Sequence, residues 1–433
     1  MEEYVKSNLK DAQGKVEIWA WIEKVRDQKS MQFIILKDRS GMLQMTVEKA
    51  TKPQMAEILA HLTQDCYIKA KGTIVANEYV KLGKKELIPD EIEVLSKAEI
   101  SPIDGESSID QRLDYRWIDL RDPKKRLIFE AQTQLTQGMR NYCIQNGFIE
   151  VHCPTTIKNE SESGSGVFEV KYFDKKAYLI QSPQFYKQMA IAAGFEKVFI
   201  ATPIYRAEKS FTRKHATEFS GFDLEFANVS SVEDVMKVEE ELIHAGLKQV
   251  HDTLGDKIKE MLGVEVVIPT LPFPRVTMKE VYKILDEECD YPLDEGSDLD
   301  TEAENLLAAY MLKKNGHQFF FVKDYPSDVR PFYSMHKDND PGYSETYDLY
   351  YKDVEITSGA MREHRADVLA KQIAEKGIDP KTMEENYINF FKYGCPPHGG
   401  FGIGLDRLTM LMLDIPTIKE AMFVFRGPDR LNP

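Results

Sequence analysis

Residues 203–225 contain the charged and aromatic side chains whose spacing is best suited to chemistry. The segment reads as two strands joined by a basic loop, so alternate side chains point to one face of the pair. On that face lie Arg206 and Glu208 from the first strand and Phe219, Asp223 and Glu225 from the second. An arginine can pair with a phosphate while an aromatic ring stacks on a base. The segment therefore predicts a nucleotide site, although a solvated sheet face with interstrand salt bridges would show the same pattern.

A glycine-rich segment near the C-terminus, residues 398–407, has the sequence HGGFGIGLDR. A dinucleotide-binding fingerprint would need a βαβ unit and an acidic residue downstream, and too few residues follow for that unit. The sequence also contains no GxxxxGK(S/T) phosphate-binding loop. We therefore expect the glycines to let the backbone approach a ligand closely and Arg407, at a predicted helix start, to add a fixed cation.

The first 97 residues have the pattern of a small β-rich domain. Strands are predicted at 15–25, 31–37, 42–48, 66–75 and 91–95, and a helix at 52–62 follows the third strand. The sequence DRSG at 38–41 is typical of a hairpin loop between the second and third strands. Five strands with one helix after the third indicate an OB-fold β-barrel.

The remainder of the chain has a different organisation. Residues 98–123 contain Pro, Gly and Ser without an apolar period, which predicts a linker or hinge before a domain at 124–433. In that domain the pattern predicts helices at 124–145, 184–193, 232–254 and 278–285, strands at 149–152, 178–180, 198–207 and 218–228, and a strand-to-helix unit at 399–413. Hairpin-linked strands followed by helices indicate an α+β domain on a mainly antiparallel sheet flanked by helices.

Length and cysteine content restrict the class of protein. A chain of 433 residues can bury a large core without disulfides or metal ions. The five cysteines are scattered and include no C-x-x-C pair, so neither a disulfide framework nor a zinc site of ordinary spacing is expected. No apolar stretch has the length of a membrane helix or the position of a signal peptide. These features predict a soluble, cytoplasmic protein.

The charge of the chain is unevenly distributed. The formal net charge is −15, whereas residues 1–97 carry 14 Lys and 2 Arg against 15 acidic residues, a net charge of +1. An acidic protein cannot hold nucleic acid through its whole surface, because binding requires cations that neutralise phosphates. Any role in nucleic-acid binding must therefore depend on local patches, including one in the N-terminal hundred residues.

In their order along the chain, the two segments described first resemble motifs 2 and 3 of the class II aminoacyl-tRNA synthetases. The helix that ends near Phe148, with Pro154 beyond it, resembles motif 1 and implies a homodimer. An OB barrel before such a core is similar to the aspartate, asparagine and lysine subgroup. Residues 181–187 (QSPQFYK), 330–333 (RPFY) and 355–362 (EITSGAMR) are similar to the aspartate enzymes. The short connection between motifs 2 and 3 is similar to their archaeal and eukaryotic type.

The resemblance implies ATP as a substrate and Mg²⁺ as a cofactor. The implied ATP-binding residues are Arg206 at the α-phosphate, Glu208 on the adenine side, Phe219 stacked on adenine, and His215 with Arg407 at the γ-phosphate. Of these, Arg206 and Arg407 are the implied catalytic residues, since activation of a carboxylate needs positioning and charge stabilisation rather than a side-chain nucleophile. The implied metal ligands are Asp348, Glu355 and Ser358, of which the two carboxylates would otherwise read as exposed strand residues.

For the amino acid, the resemblance implies a site for L-aspartate. The implied residues are Lys187 and Arg362 at the side-chain carboxylate, Gln184 and Asp223 at the α-amino group, and Glu162 on a lid formed by residues 158–166. We expect two buried cations to favour the acid over its amide, which would leave both without a counter-charge. Asparagine enzymes carry a glutamate where Lys187 stands. Without the resemblance, Lys187 would read as a solvated residue on an amphipathic helix.

Transfer RNA is the implied macromolecular partner. Arg26, Phe33 and Gln44 have the spacing that the family uses for the central uridine of the anticodon, and Ser210 and Thr212 match positions that meet the acceptor end. An exposed Phe33 would stack on a splayed base, whereas the apolar run FIIL at 33–36 would also suit an ordinary core strand.

The activity implied is that of an aspartate–tRNA ligase, which forms aspartyl-adenylate from L-aspartate and ATP and transfers the aspartyl group to the 3′ end of tRNA(Asp). Whether tRNA(Asn) is also an acceptor stays open. Three alternatives also stay open: an asparagine-specific ligase, an amide synthetase that reuses the catalytic core to make asparagine, and a non-enzymatic OB module that binds RNA. The barrel at 1–97 disfavours the second, and the ATP constellation disfavours the third.

Overall fold

The computed structural model describes residues 3–158 and 166–433. The chain divides into two compact units, residues 1–123 and 124–433. Among the described residues, no helix combines the length and the apolar character needed to cross a membrane. The five cysteines are free thiols.

The N-terminal unit is a six-stranded sheet that closes on itself. Its strands follow the order β1-β2-β3-β4-β6-β5, and a further pairing of β2 with β5 closes the barrel. Alternate residues of the long strands point inward, and the core includes Ile18, Ile34 and Met45. The elements are β1 (Val5–Lys6), β2 (Lys15–Asp27), β3 (Met31–Lys37), β4 (Met42–Glu48), α1 (Pro53–Ala60), β5 (Tyr67–Ala76) and β6 (Lys85–Ser96). The expected OB-fold barrel is confirmed.

The last strand of this barrel begins six residues before the predicted start at 91. Pro89 concealed it, because a proline cannot donate to a ladder and usually argues against a strand interior. In the structure Pro89 lies opposite Gly72 at an irregularity in the β5–β6 ladder. A Cβ atom on Gly72 would lie 2.3 Å from the carbonyl oxygen of Ile88, so the glycine permits this close approach.

Two short helices occupy the segment expected to be a linker. These are α2 (Ile109–Asp114) and α3 (Arg116–Asp119). Ser108 and Gln111 form a reciprocal capping box at the start of α2. Arg116 and Asp119 are buried and form an ion pair. The composition predicted a loop because these helices lack an apolar period. Local capping and one buried ion pair stabilise them instead.

The C-terminal unit is built on a mainly antiparallel sheet flanked by helices, as expected. Among the described residues the sheet has eight strands in the order β13-β14-β17-β18-β19-β12-β11-β7, with parallel pairing only at its two ends. The strands of this unit are β7 (Ile149–Glu150), β8 (Thr156–Ile157), β9 (Glu169–Tyr172), β10 (Lys175–Leu179), β11 (Lys197–Tyr205), β12 (Glu218–Ala227), β13 (Arg275–Thr277), β14 (Phe319–Lys323), β15 (His336–Lys337), β16 (Asp340–Ser344), β17 (Thr346–Tyr351), β18 (Val354–Met361) and β19 (His398–Gly404).

Helices pack against this sheet and extend the predicted set. They are α4 (Pro123–Gln145), α5 (Gln184–Ala192), α6 (Val232–Leu262), α7 (Met278–Cys289), α8 (Thr301–Asn315), α9 (Ala366–Glu375), α10 (Pro380–Met383), α11 (Leu405–Met412) and α12 (Ile418–Ala421). Helix α6 continues eight residues past its predicted end and stops at Gly263, which has a left-handed backbone with φ 74°. The sequence analysis assigned neither α8 nor β13–β18.

Helices α4 and α6 approach each other closely at two glycines. A Cβ atom on Gly138 would lie 2.7 Å from the carbonyl oxygen of Ala245 and 3.0 Å from the Cα atom of Gly246. Close backbone approach of this kind leaves no space for a side chain. The contact holds the motif 1 helix against the long helix behind the sheet.

We expect Gly138→Val to lower the free energy of unfolding of the C-terminal unit by about 1–3 kcal/mol, because the added side chain must displace α6. The matched control is Gly255→Ala on α6, where the nearest atom to an added Cβ lies 3.8 Å away. That change should stabilise the helix by about 0.5–1 kcal/mol. Urea unfolding of both variants followed by circular dichroism measures the difference; equal midpoints would contradict the close contact.

Candidate active site

A cavity of about 480 Å³ opens between strands β11, β12, β18 and β19 and helices α5 and α11. It collects most of the residues singled out in the sequence. Those lining it are Gln184, Lys187, Arg206, Glu208, His215, Phe219, Asp223, Glu355, Ser358, Arg362 and Arg407. Asp348 is buried next to Ser358, whereas Glu162 lies outside the described residues. One cavity therefore contains side chains from segments separated by more than 200 residues.

At one end of the cavity, two buried cations share a buried carboxylate. Lys187 Nζ lies 3.3 Å from Glu225 Oε2, and Arg362 Nε donates to Glu225 Oε1 at 2.9 Å. Lys187 Nζ also donates to Asp223 Oδ2 at 3.0 Å and to the Phe401 carbonyl at 3.2 Å. The Lys187 and Arg362 side chains therefore converge on one region instead of pointing apart.

The acidic partners respond differently to burial. Burial raises the pKa of Asp223 even though Lys187 opposes it. Burial would also raise the pKa of Glu225, but Arg362 and Lys187 hold it below its ordinary value. Glu225 is thus an ionised anchor between the two cations. The sequence analysis placed Glu225 on the correct face without a role, because its partners come from distant segments.

These pairings change the reason for expecting an acid-selective site. The cations already have counter-charges, so an amide ligand would not leave them uncompensated. What they present to a ligand is hydrogen-bond donors alone: ammonium and guanidinium groups have no acceptor. A carboxylate offers two acceptor oxygens to such groups, whereas an amide turns its NH₂ group toward another donor. The selectivity expected from Lys187 and Arg362 therefore comes from donor and acceptor complementarity together with charge.

Two of the motif 3 glycines accommodate carboxylates of a neighbouring strand. A Cβ atom on Gly400 would lie 2.2 Å from Glu225 Oε2, and one on Gly402 would lie 2.7 Å from Asp223 Oδ2. These two glycines on β19 make room for the carboxylates of the neighbouring strand β12. Gly402 also lines the cavity, so the expectation that the glycines let the backbone approach a ligand stays a prediction. The clearance for the two carboxylates was not foreseen, since only the strand pairing shows which side chains face these glycines.

The other end of the cavity contains Arg206 and Arg407. The guanidinium carbon of Arg206 lies 5.6 Å from the centre of the Phe219 ring, and the buried Arg206 Nε has no hydrogen-bond partner in the described part of the chain. Arg407 donates to the backbone carbonyls of Lys214 and Glu355, both at 3.1 Å. An arginine fixed by carbonyls keeps its charge available for an anion. This end therefore suits a polyphosphate.

Two cavity groups have pKa values below their ordinary range for related reasons. Burial, Arg407 and Lys214 lower the pKa of His215, whose Nδ1 hydrogen-bonds Thr212. Burial and Arg206 lower the pKa of Arg407, although Glu355 opposes the shift. Mutual repulsion among cations is the expected signature of a site that binds a negatively charged ligand.

Asp406 connects the three motifs. Its Oδ2 accepts from the Ser220 backbone N–H at 2.8 Å, and its Oδ1 accepts from Gln132 Nε2 at 3.2 Å. Ser220 lies on β12, Gln132 on α4 and Asp406 on α11. Burial raises the pKa of Asp406. One carboxyl group thus fixes Arg407, its neighbour on the first turn of α11, relative to the motif 2 strand.

The three expected metal ligands form one cluster of oxygen donors. Ser358 Oγ donates to Asp348 Oδ1 at 2.6 Å and lies 3.1 Å from Glu355 Oε1. Burial and the nearby Asp348 raise the pKa of Glu355. Arg330 donates to both oxygens of Asp348. Within residues 3–158 and 166–433, no three His, Cys, Asp or Glu residues lie together as a metal-binding group. The cluster of Asp348, Glu355 and Ser358 contains only two carboxylates, and its third oxygen donor is a serine. Hard oxygen donors that repel each other fit Mg²⁺ shared with a phosphate.

The expected tRNA contacts lie on loop 209–217 and on the barrel. Thr212 is exposed and Ser210 half-buried in the loop. On the barrel, Arg26 pairs with Phe33 across β2 and β3. Phe33 is half-buried on the opposite face of β3 from the core residue Ile34. Gln44, on the same face of the next strand, donates to Glu86 and Thr46, both at 3.1 Å.

Comparison with known proteins agrees with this geometry. Residues 108–425 match the family model of class II tRNA synthetases (D, K and N), and residues 16–95 match that of the OB-fold nucleic acid binding domain. The chain belongs to this class II synthetase family and is an ATP-dependent aminoacyl-tRNA ligase. The family resemblance drawn from the motifs is confirmed.

Individual relatives narrow the comparison. An aspartate–tRNA(Asp) ligase from Pyrococcus abyssi is 40% identical over 97% of this chain and 96% of its own length. An aspartate–tRNA(Asp/Asn) ligase from Methanopyrus kandleri is 39% identical over 96% of each chain. The solved asparaginyl-tRNA synthetase of Pyrococcus horikoshii, complexed with asparaginyl-adenylate, has a TM-score of 0.91 at 32% identity and full coverage of both chains. The fold alone therefore does not distinguish the two amino acids.

We expect Gly400→Ala to destabilise the C-terminal unit by about 1–3 kcal/mol, because the added methyl group would displace Glu225 or the backbone of Leu224. Gly404→Ala on the same strand is the matched control, since the nearest atoms to its Cβ lie 3.8 Å away. Thermal unfolding followed by near-ultraviolet circular dichroism should separate the two variants. Similar melting temperatures would show that Glu225 does not need the space over Gly400.

Proposed function

We propose that this chain is an aspartate–tRNA ligase. The observation that supports aspartate over asparagine is the convergence of Lys187 and Arg362 around Glu225 at one end of the cavity. Both cations are nearly inaccessible to solvent, with exposures of 1% and 4%. In such a site a ligand carboxylate gains charge-assisted hydrogen bonds that an amide of the same shape cannot make.

The remaining residues of this end would hold the backbone of the amino acid. Gln184 and Asp223 are proposed to bind the α-ammonium group, and Glu162 to act from the lid at 158–166. Asp223 is well placed for this because it lies beside Lys187 on the cavity wall. An ammonium ion would compensate the charge of Asp223 and favour its ionised form.

Activation then requires positioning rather than a side-chain nucleophile. An oxygen of the aspartate α-carboxylate attacks the α-phosphorus of ATP, the bond to the bridging oxygen breaks, and pyrophosphate leaves with its electrons. We propose Arg206 at the α-phosphate, Phe219 against adenine with Glu208 beside it, and His215 and Arg407 at the γ-phosphate. In the second step a terminal ribose hydroxyl of tRNA attacks the aspartyl carbonyl carbon, and AMP leaves.

A divalent cation completes the proposed site. Asp348, Glu355 and Ser358 are the residues that would hold Mg²⁺, and the clustering of their oxygens supports this assignment. Burial and the nearby Asp348 raise the pKa of Glu355. Bound there, Mg²⁺ would neutralise charge on the ATP phosphates. Arg330 orients Asp348 by donating to both of its oxygens.

Transfer RNA is the proposed acceptor, with Arg26, Phe33 and Gln44 on the barrel and Ser210 and Thr212 at the acceptor end. The hydrogen bonds of Gln44 support this role. Because its amide nitrogen donates to Glu86 and Thr46, its carbonyl oxygen is the group left to accept from a ligand. Uridine presents an N3–H donor, whereas cytidine presents an acceptor at that position, so this orientation favours uridine.

Quaternary structure and location complete the proposal. We propose a homodimer formed through the motif 1 region, where Ile144 and Ile149 are 65% and 48% exposed. Strand β7, which carries Ile149, is an edge strand of the sheet and so has an unpaired side. Free thiols and the nature of the substrates favour a cytoplasmic location.

Amino-acid preference can be tested by ATP–pyrophosphate exchange. We expect aspartate to exceed asparagine by about 10⁴-fold in kcat/KM, because a polar site rejects a ligand that leaves its buried groups mispaired. Lys187→Met should lower exchange with aspartate by at least about 100-fold, whereas Lys176→Met, at an exposed lysine, should not. Exchange that prefers asparagine would overturn the assignment.

The barrel can be tested separately from activation. Phe33→Ala should raise the KM for tRNA by about 5-fold to 100-fold, because one stacked base contributes about 1–3 kcal/mol. Exchange with aspartate should not change, since it requires no anticodon contact. Tyr79→Ala, at a residue 96% exposed on the same unit, is the control. Charging of purified tRNA(Asp) and tRNA(Asn) side by side then decides whether one or both are acceptors.

A further inference from the structure

Behind the cavity, four buried polar side chains form a continuous row. Gln184 Nε2 donates to Gln188 Oε1 at 2.9 Å, and Tyr387 Oη donates to the same oxygen at 2.6 Å. Gln188 Nε2 lies 3.0 Å from His398 Nε2. His398 is fully buried and stacks on Phe391 with the ring planes 9° apart. Of the four, Gln184 is the one that lines the cavity.

The backbone fixes the direction of every hydrogen bond in this row. His398 Nδ1 lies 2.9 Å from the Pro396 carbonyl, which can only accept, so Nδ1 carries a proton. Burial lowers the pKa of His398, which favours the neutral ring and leaves Nε2 as an acceptor. Gln188 must then turn its amide nitrogen toward His398 and its oxygen toward Gln184. Gln184 in turn must use its amide nitrogen as the donor.

The consequence lies at the cavity wall. With its nitrogen committed to Gln188, Gln184 is left with its carbonyl oxygen for a ligand. A carbonyl oxygen accepts from an ammonium group, whereas a reversed amide would place N–H groups against that ammonium. Both orientations have the same shape, so packing alone does not choose between them. The choice comes from His398, through Gln188.

We propose that His398 is a positioning residue for amino-acid binding: acting through Gln188, it holds the Gln184 carbonyl as an acceptor for the substrate α-ammonium group. This inference deepens the proposed function and rests on it. His398 makes no contact with substrate in this role. Its Nε2 is also 4.0 Å from Glu225 Oε1, which is already paired with Arg362 and Lys187.

The test compares aspartate with succinate, which is aspartate without its amino group. In His398→Phe, the ring can still stack on Phe391 but offers no acceptor to Gln188. We expect the KM for aspartate in pyrophosphate exchange to rise about tenfold, the size of a hydrogen bond to a charged group. The inhibition constant of succinate and the KM for ATP should not change. Cys395→Ala, which removes a neighbouring thiol but leaves the His398–Gln188 bond, should behave as wild type.

A double-mutant comparison separates this role from a structural one. In a Gln184→Met background, His398→Phe should have no further effect on the KM for aspartate. Gln188→Met interrupts the same row and should reproduce the effect of His398→Phe. Equal losses for aspartate and succinate, or additive effects in the double variant, would overturn the proposal. Failure of the wild-type protein to exchange with aspartate would instead overturn the proposed function.

A measurement on the wild-type protein tests the tautomer of His398 and does not depend on the folding of a variant. The ¹⁵N spectrum of histidine-labelled protein reports which ring nitrogen carries the proton. We expect the tautomer of His398 protonated at Nδ1 near neutral pH. A proton at Nε2 would reverse Gln188 and Gln184, and would refute the proposed direction of the row.

Discussion

The buried ion cluster around Glu225 is the interaction on which the site depends. Removing a carboxylate from water is costly unless cations and hydrogen bonds replace the lost solvation, and here Arg362 and Lys187 both do so. The cluster joins β12, α5 and the residue directly after β18, because Glu225, Lys187 and Arg362 are attached there. The sheet must carry glycine at position 400 for Glu225 to fit. The buried charge of Glu225, the packing around it and the glycine at position 400 therefore depend on one another.

The cavity has two chemically distinct ends that share one pair of strands. One end contains a balanced set of buried ions that presents donors to a carboxylate. The other contains Arg206 and Arg407, of which Arg407 donates to two backbone carbonyls. Burial together with nearby cations lowers the pKa of Arg407 and of His215 there. Asp406 keeps the second end aligned with the first by bonding to β12 and α4. This rigidity suits a reaction in which the protein acts mainly by positioning charges.

Two glutamine side chains, Gln44 and Gln184, have the orientation of their amide groups fixed by neighbouring hydrogen-bond acceptors. Glu86 and Thr46 accept from the nitrogen of Gln44, and Gln188 accepts from the nitrogen of Gln184. In both cases the acceptor fixes the position of the amide nitrogen, and in the proposed function the carbonyl oxygen would contact the ligand. An amide can distinguish a donor from an acceptor on a ligand only when neighbouring protein groups fix its orientation. Buried polar neighbours therefore contribute to specificity without contacting the ligand.

The sequence by itself determined the family, the OB barrel, the long helices and the membership of the cavity. Motif spacing survives in a linear chain, and regular apolar periods report which face is buried, so Arg206, Phe219 and Arg407 could be placed in one site. It missed α8, whose charged and apolar residues show no clear helical period, and the first residues of β6, where Pro89 argued against a strand.

Only the tertiary structure determined which residues pair with one another. The sharing of Glu225 by two cations, the clearance over Gly400 and the row from His398 to Gln184 each join residues far apart in the chain. Such contacts leave no local signal, because they arise from strand register and from the fixed directions of backbone carbonyls. Composition and spacing can identify the residues of a site. Only the three-dimensional geometry shows which of their groups donate hydrogen bonds and which accept them.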